Sequence, residues 1–168
     1  MSIEQDLAKI ALQEKRLQFE KFNSEVAWAV GSALKGAADK RKVGVAIDIQ
    51  LNGHTLFFHA MQGTTPDNLE WIRRKRNVVL RFHRSSYAIG LKQELTKSAG
   101  QEKPALDPNE YATHGGCFPI VVIGTGCVGT ITVSNLPQRD DHNLVVSVLQ
   151  DFLHLQSEDL ALDPPERT

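Results

Sequence analysis

Two stretches of this chain concentrate residue types able to do chemistry. The first is Trp71-Ile72-Arg73-Arg74-Lys75-Arg76, continuing to Arg81-Phe82-His83-Arg84-Ser85-Ser86-Tyr87, and seven of the twelve residues from Arg73 to Arg84 are Arg, Lys or His. On a helical wheel at about 100° per residue, Leu69, Ile72, Val79, Leu80 and Tyr87 share one arc, and Arg73, Arg74, Asn77, Arg81 and Arg84 lie opposite as a solvated face. Arg76 and His83 break that partition by falling inside the apolar arc, with Lys75 and Ser86 toward its edge. A cation turned toward a core is costly unless it is paired. Two readings stay open. In one, Asp48 neutralises Arg76 and His83 is a hydrogen-bonded core histidine. In the other, Arg76, His83 and the hydroxyl of Ser85 or Ser86 converge on an anionic ligand such as a carboxylate or phosphate, which positive charge and directional donors suit.

The second stretch is His114-Gly115-Gly116-Cys117-Phe118-Pro119. Paired glycines let backbone approach a ligand closely and leave N–H groups for an anion, although they also serve as a plain connector before a strand. His114, Gly115 and Gly116 therefore join Asp48, Arg76, His83, Ser85 and Ser86 as candidate ligand-binding residues. Other patterns carry less. Gly124-Thr125-Gly126-Cys127-Val128-Gly129 sits between two strands, so no helix N-terminus follows to hold a pyrophosphate. Asp140-Asp141-His142 contains metal-ligand types, but acidic residues in a first helical turn already answer to the helix dipole, and no metal site is expected. Ser85-Ser86 lies in no nucleophile-elbow pattern, and a Cys117 and His114 pair lacks a third member, so no catalytic residue is assigned.

The elements that must position these residues are legible in outline. Residues 2–19 read as a short amphipathic helix with Ile3, Leu7, Ile10 and Leu17 on its stripe. Asn23 and Ser24 mark a second helix, with Val26, Val30, Leu34 and Ala37 on one face to about Asp39. From Val43 to Gln50 the period changes to two, and Asn52-Gly53 predicts a two-residue hairpin turn. A regular hairpin from that turn sets Ile49 against Leu56, Ile47 against Phe58 and Asp48 against Phe57, which makes Asp48 and His59 diagonal neighbours. Asp67 with Glu70 resembles a capping box for a third helix that continues past Tyr87 toward Leu91, with a kink at Ser85-Ser86 or Gly90. A polar connection over residues 98–108 leads to a short helix near Asn109 to Thr113. Strands at 120–123 and 127–134 flank the Gly124-Thr125-Gly126 turn, and Pro137 opens a last helix with Leu144, Val145, Val148, Leu149 and Phe152 on its buried face. This order predicts one α/β domain over residues 1–155, with a largely antiparallel sheet covered by helices, and an acidic, disordered tail over 156–168.

Composition narrows the function classes. The chain has 168 residues, 41% hydrophobic and 23% charged, with 19 Lys plus Arg against 20 Asp plus Glu. A domain of this size removes roughly 68–70% of its unfolded surface from water and needs neither disulfide nor structural metal. The near-zero net charge of −1 gives no global field for nucleic acid or an acidic membrane surface. No apolar run approaches the ~20 residues of a membrane span, and the two cysteines form no Cys-x-x-Cys motif, so a cytoplasmic protein is expected.

Asp67-Asn68-Leu69-Glu70-Trp71-Ile72-Arg73-Arg74-Lys75-Arg76, Phe82-His83-Arg84-Ser85-Ser86-Tyr87, His114 to Ile120, and Gly129-Thr130-Ile131-Thr132-Val133-Ser134-Asn135-Leu136-Pro137-Gln138 occur in this order. Together they resemble an uncharacterised UPF-series family of haem-degrading-domain proteins, distant relatives of HbpS, GlcG and the PduO C-terminal domain, over about Leu7 to Leu153. The resemblance implies a profilin-like fold, assembly into homo-oligomers and a link to haem, with Asn135 standing where the family usually has glycine. It supplies no axial ligand. Three functional classes follow: an oligomeric module binding haem or another anionic carboxylate ligand, an oligomeric protein-interaction module, and a haem-degrading enzyme.

Overall fold

The computed structural model describes residues 2–101 and 105–162. Helix α1 (Ile3–Arg16) opens on a capping box in which Ser2 and Gln5 exchange side-chain and backbone bonds. In α2 (Ser24–Arg41) the Asn23 side chain accepts from the Val26 N–H, and Ala27, Val30, Leu34 and Ala38 form the buried stripe. Strands β1 (Ala46–Leu51) and β2 (His54–Ala60) follow, then α3 (Asp67–Phe82), α4 (Ser86–Ser98), β3 (Cys117–Val122), β4 (Gly126–Ser134) and α5 (Gln138–Phe152). The four strands lie in the order β2-β1-β4-β3, and every neighbouring pair is antiparallel, so the expected helix-covered antiparallel α/β domain is what forms.

The two sheet faces differ in kind. Alternate residues Ile47, Ile49, Ile131, Val133, Phe118 and Ile120 belong to one large apolar core with α2 and α5. Their neighbours Asp48, Thr130, Thr132, Ser134 and Cys117 point the other way and are buried where α3 crosses β3 and β4. A smaller cluster joins Ile10 of α1 to Tyr87, Ala88 and Leu91 of α4.

Several local expectations are corrected. The Asn52-Gly53 turn does pair Leu51 with His54, with both turn residues at positive φ. One register shift then places Ile49 opposite Phe57, Asp48 opposite Phe58 and Ile47 opposite His59. A one-residue slip reverses the face of every later side chain, so Asp48 and His59 lie on opposite faces and are not diagonal neighbours. The third helix does not run through to Leu91. It ends at Phe82, His83 adopts the left-handed conformation (φ 51°), and Ser85 restarts the chain by accepting from the Ala88 N–H. No capping box forms at its start: Pro66 occupies the cap position, Asp67 accepts from the Trp71 indole at 3.1 Å, and the Asn68 side chain accepts from the Thr65 N–H. The segment near Asn109 is a turn held by the Asp107 carboxylate rather than a helix.

Residues 156–162, which the sequence assigns to a disordered tail, pack back onto α1. Leu160 and Leu162 are buried, the Gln13 amide donates to the Leu160 carbonyl at 2.6 Å, and Lys9 and Arg16 pair with Asp159 and Glu158. Residues 163–168 lie outside the described residues.

Candidate functional site

The basic run on α3 fastens a loop. Arg73 reaches Glu70, Glu110 and the Asn109 carbonyl, Arg74 donates to the Glu70 and Pro108 carbonyls, and Asn77 donates to the Glu110 carbonyl. Arg81 sits over the Tyr111 ring, and the Ala112 N–H donates to the Arg74 carbonyl. These bonds hold the 107–112 segment against α3 and so deliver His114, Gly115 and Gly116 to the N-terminal half of that helix.

There His114 and Gly115 border a cleft of about 290 Å³ between α3, the 113–116 loop, the end of β4 and the start of α5. Asn68, Trp71 and Lys75 come from α3, Ser134 and Asn135 from the end of β4, and Gln138 and Asp141 from α5. The exposed His114 ring stands edge-on to Trp71 at 5.1 Å, while Arg74 covers a face of the same indole at 4.4 Å. Partial burial, reinforced by the positive charges of Lys75 and Arg74, lowers the proton affinity of His114 below that of a free imidazole. Asn135 holds a positive φ of 131°, and its amide donates to the Gly44 and Gly63 carbonyls.

The floor of the cleft is a buried knot. Lys75 Nζ donates to the Gly115 carbonyl (2.8 Å), the Val133 carbonyl (2.8 Å) and Asp141 Oδ2 (2.9 Å). Asp141 Oδ1 accepts from the Leu136 N–H. Burial pushes the Asp141 carboxyl up to about 6 against the opposing pull of Lys75, because removing a carboxylate from water costs more than one cation returns here. Gly116 has φ 122°, and a Cβ there would lie 2.6 Å from Lys75 Nζ, so both the conformation and the space require glycine.

The sequence candidates therefore separate into different places. Arg76 of α3 pairs with Asp48 of β1 at 3.0 Å on the sheet face beneath the helix, the internal neutralisation foreseen for it, and burial raises the Asp48 pKa despite that partner. His83 is exposed at the end of α3 and does not face a core. Ser85 caps α4, and Ser86 Oγ donates to the His114 carbonyl at 2.5 Å and accepts from the Cys117 N–H. Arg76, His83 and the two serines do not converge on a common ligand. His114 and Gly115 border the cleft, and Gly116 lies beneath them.

Sequence reasoning missed Lys75 and Asp141, the two charges that build the floor. The available signal was Thr130, Thr132 and Ser134 at alternate positions of a central strand, which marks the face beneath α3 as polar. Asp141 and His142 are buried, and His142 bonds Gln13 at 2.7 Å while burial pushes its pKa down to about 3. Cys117 is buried with its thiol pushed up to about 12, mainly by burial, and is not a nucleophile at neutral pH. Among the described residues no group of three or more His, Cys, Asp or Glu could hold a metal ion, and no helix is long and apolar enough to cross a membrane.

Comparison with known proteins places this architecture. A UPF0303 protein of Azotobacter vinelandii is 51% identical over 163 residues, covering 97% of this chain and 98% of that protein. The crystal structure of Ybr137w superposes with a TM-score of 0.78 at 33% identity, covering 90% of each chain. The structure of a PduOC haem complex shares the fold, with a TM-score of 0.64 at 14% identity over 76% of this chain and 92% of that one. Residues 22–150 match the family described as haem degrading protein HbpS-like. With the sheet, its helical cover and most of its length accounted for in this way, the chain belongs to the HbpS-like family.

Proposed function

We propose that this protein is a small-ligand-binding module whose site is the cleft between α3, the 113–116 loop and α5, with an iron porphyrin as the first ligand to test. The observation that carries this reading is the state of His114. Its imidazole stands at the lip of the cleft, edge-on to Trp71, and among the described residues neither ring nitrogen is engaged in a hydrogen bond. A neutral imidazole with a free nitrogen is a ligand for haem iron. Membership of an HbpS-like family and the shared fold of a protein solved with haem support the choice of probe.

The donor set fits the iron better than the acids of haem. Lys75, Arg76, Arg73 and Arg74 are committed to internal partners, and Asp67 adds a carboxylate to the rim. Propionates would therefore lie toward solvent, and the anionic clamp expected from Arg76 and His83 has no counterpart. His114 would hold the metal, and Trp71 would buttress the imidazole. When bound, an iron porphyrin supplies a Lewis-acidic, redox-active centre. The cleft, about 290 Å³, falls just below the roughly 300–1,000 Å³ typical of ligand pockets, so a porphyrin would enter it by one edge.

Titration of the purified protein with haemin tests this. The expected result is a saturable Soret shift at one haem per chain, lost in His114→Ala and retained in His83→Ala. A weak, nonsaturating change in the wild type overturns it.

A second reading, a homo-oligomeric interaction module, is favoured by large apolar side chains left at the surface: Trp28 is 66% exposed, Ile123 60% and Phe58 43%. Light scattering tests it, with a symmetric assembly expected and a monodisperse monomer at micromolar concentration counting against it.

A further inference from the structure

Resting on the cleft as the ligand site, we propose that Lys75 is its positioning residue: it sets the place of His114 through the Gly115 carbonyl and does not itself contact the ligand. A lysine beneath a binding cleft invites the opposite reading, an anchor for an anion. The geometry argues against an anchor. An ammonium has three N–H donors, and those of Lys75 are taken by the Gly115 carbonyl, the Val133 carbonyl and Asp141, with the side chain 3% exposed. A ligand carboxylate could be bound only by giving up one of these partners in a dry site.

What Lys75 does hold is the loop that carries His114. Two donors peg consecutive carbonyls: Ser86 Oγ takes that of His114, and Lys75 Nζ takes that of Gly115. The glycines allow the loop to seat on this floor. A Cβ on Gly115 would come within 2.0 Å of the Gln138 carbonyl oxygen, and one on Gly116 would meet Nζ itself. The same ammonium ties the loop to β4 and α5, so it fixes the lip relative to the sheet as well as to α3. Groups of this kind, which orient a ligating histidine without touching the ligand, typically change affinity by roughly 10- to 100-fold when removed.

The test uses the full chain, haemin and haemin dimethyl ester, in which the propionates are no longer charged. Asp141→Asn abolishes the ion pair and keeps the Lys75 bond to Gly115. Combining it with Lys75→Met removes that bond without leaving a buried charge. The expected result is that the double variant binds both porphyrins about 10-fold or more weakly than Asp141→Asn does, to the same degree for each, with an altered Soret position. A loss confined to the diacid would show Lys75 to be an anion anchor and overturn the proposal. So would affinities that follow melting temperature across the three proteins. If the wild type binds neither porphyrin, the ligand reading fails, and backbone amide shifts of Gly115 and Gly116 in the ligand-free proteins decide the role of Lys75. Displacement in the double variant but not in Asp141→Asn supports positioning, and unchanged shifts in both overturn it.

Discussion

The two faces of the sheet are built from alternate residues of the same strands, yet they do different work. Against α2 and α5 lie Ile47, Ile49, Ile131, Val133, Phe118 and Ile120, a face without a polar side chain in this set. Against α3 lie Asp48, Thr132, Ser134 and Cys117; Asp48 pairs with Arg76, Ser134 accepts from Asn68, and Lys75 donates to the Val133 carbonyl of the same strand and to Asp141 of α5. Nondirectional apolar burial supplies stability on the first face. The second face gains less from burial and more from geometry, because each hydrogen bond and ion pair fixes where one element sits relative to another. The cleft opens at the edge of this directional face, where position matters most.

The contrast can be broken most severely on the apolar side. Ile131→Ala, in the middle of β4 and fully buried, should cost about 4 kcal/mol of unfolding free energy by urea denaturation, the range for removing an aliphatic side chain from a packed core. On the polar side, Lys75→Met leaves Asp141 without its cation and two carbonyls without a donor. A loss of about 3 kcal/mol is expected by the same measurement.

A smaller effect of defined sign concerns pH. The folded-state pKa of Asp141 is raised from 3.8 to about 6, so the folded protein binds its proton more tightly than the unfolded chain does. The stability linked to that proton is complete below about pH 4 and is lost as pH rises through 6. Melting temperatures of wild type and Asp141→Asn measured from pH 4 to 7 should therefore diverge in favour of the variant as pH increases. A difference that stays constant would mean that the pair is ionised throughout. The smallest change is His83→Gly, which relieves a non-glycine left-handed residue at the end of α3 and should stabilise by about 0.5 kcal/mol without altering haemin binding.

The parts of this arrangement visible in the sequence are those with a strong local signature. Asn52-Gly53 identifies the hairpin, Asn23 opens α2, and the periodicity of residues 144–152 locates the inner face of α5. The inward turn of Arg76 together with a strand aspartate was enough to point to Asp48. What escaped depends on single-residue backbone choices or on tertiary company. The bulge in the first hairpin follows no turn motif, and it reverses the face of His59. The left-handed His83 ends a helix whose side-chain pattern continues without a break, so a wheel drawn through Tyr87 carried the wrong phase for His83 and Ser86. Lys75 appeared marginal on that wheel because the wheel was oriented by apolar residues, whereas the strand residues under α3 are largely hydroxylic.

The short linker after α1 carries a consequence for how this sheet can grow. Along the outer margin of β3, Cys117 donates to Ser86, Pro119 has no N–H, the Val121 carbonyl accepts from Phe19, and the Ile123 N–H donates to the Phe19 carbonyl. That margin is sealed by the chain itself, while among the described residues no further strand lies beside β2 at the opposite margin. A sheet with one sealed side can be extended once and not repeatedly. Were two copies to join β2 to β2 about a two-fold axis, the result would be an eight-stranded sheet ending in a sealed β3 at both sides, a closed dimer with no template for a fibre.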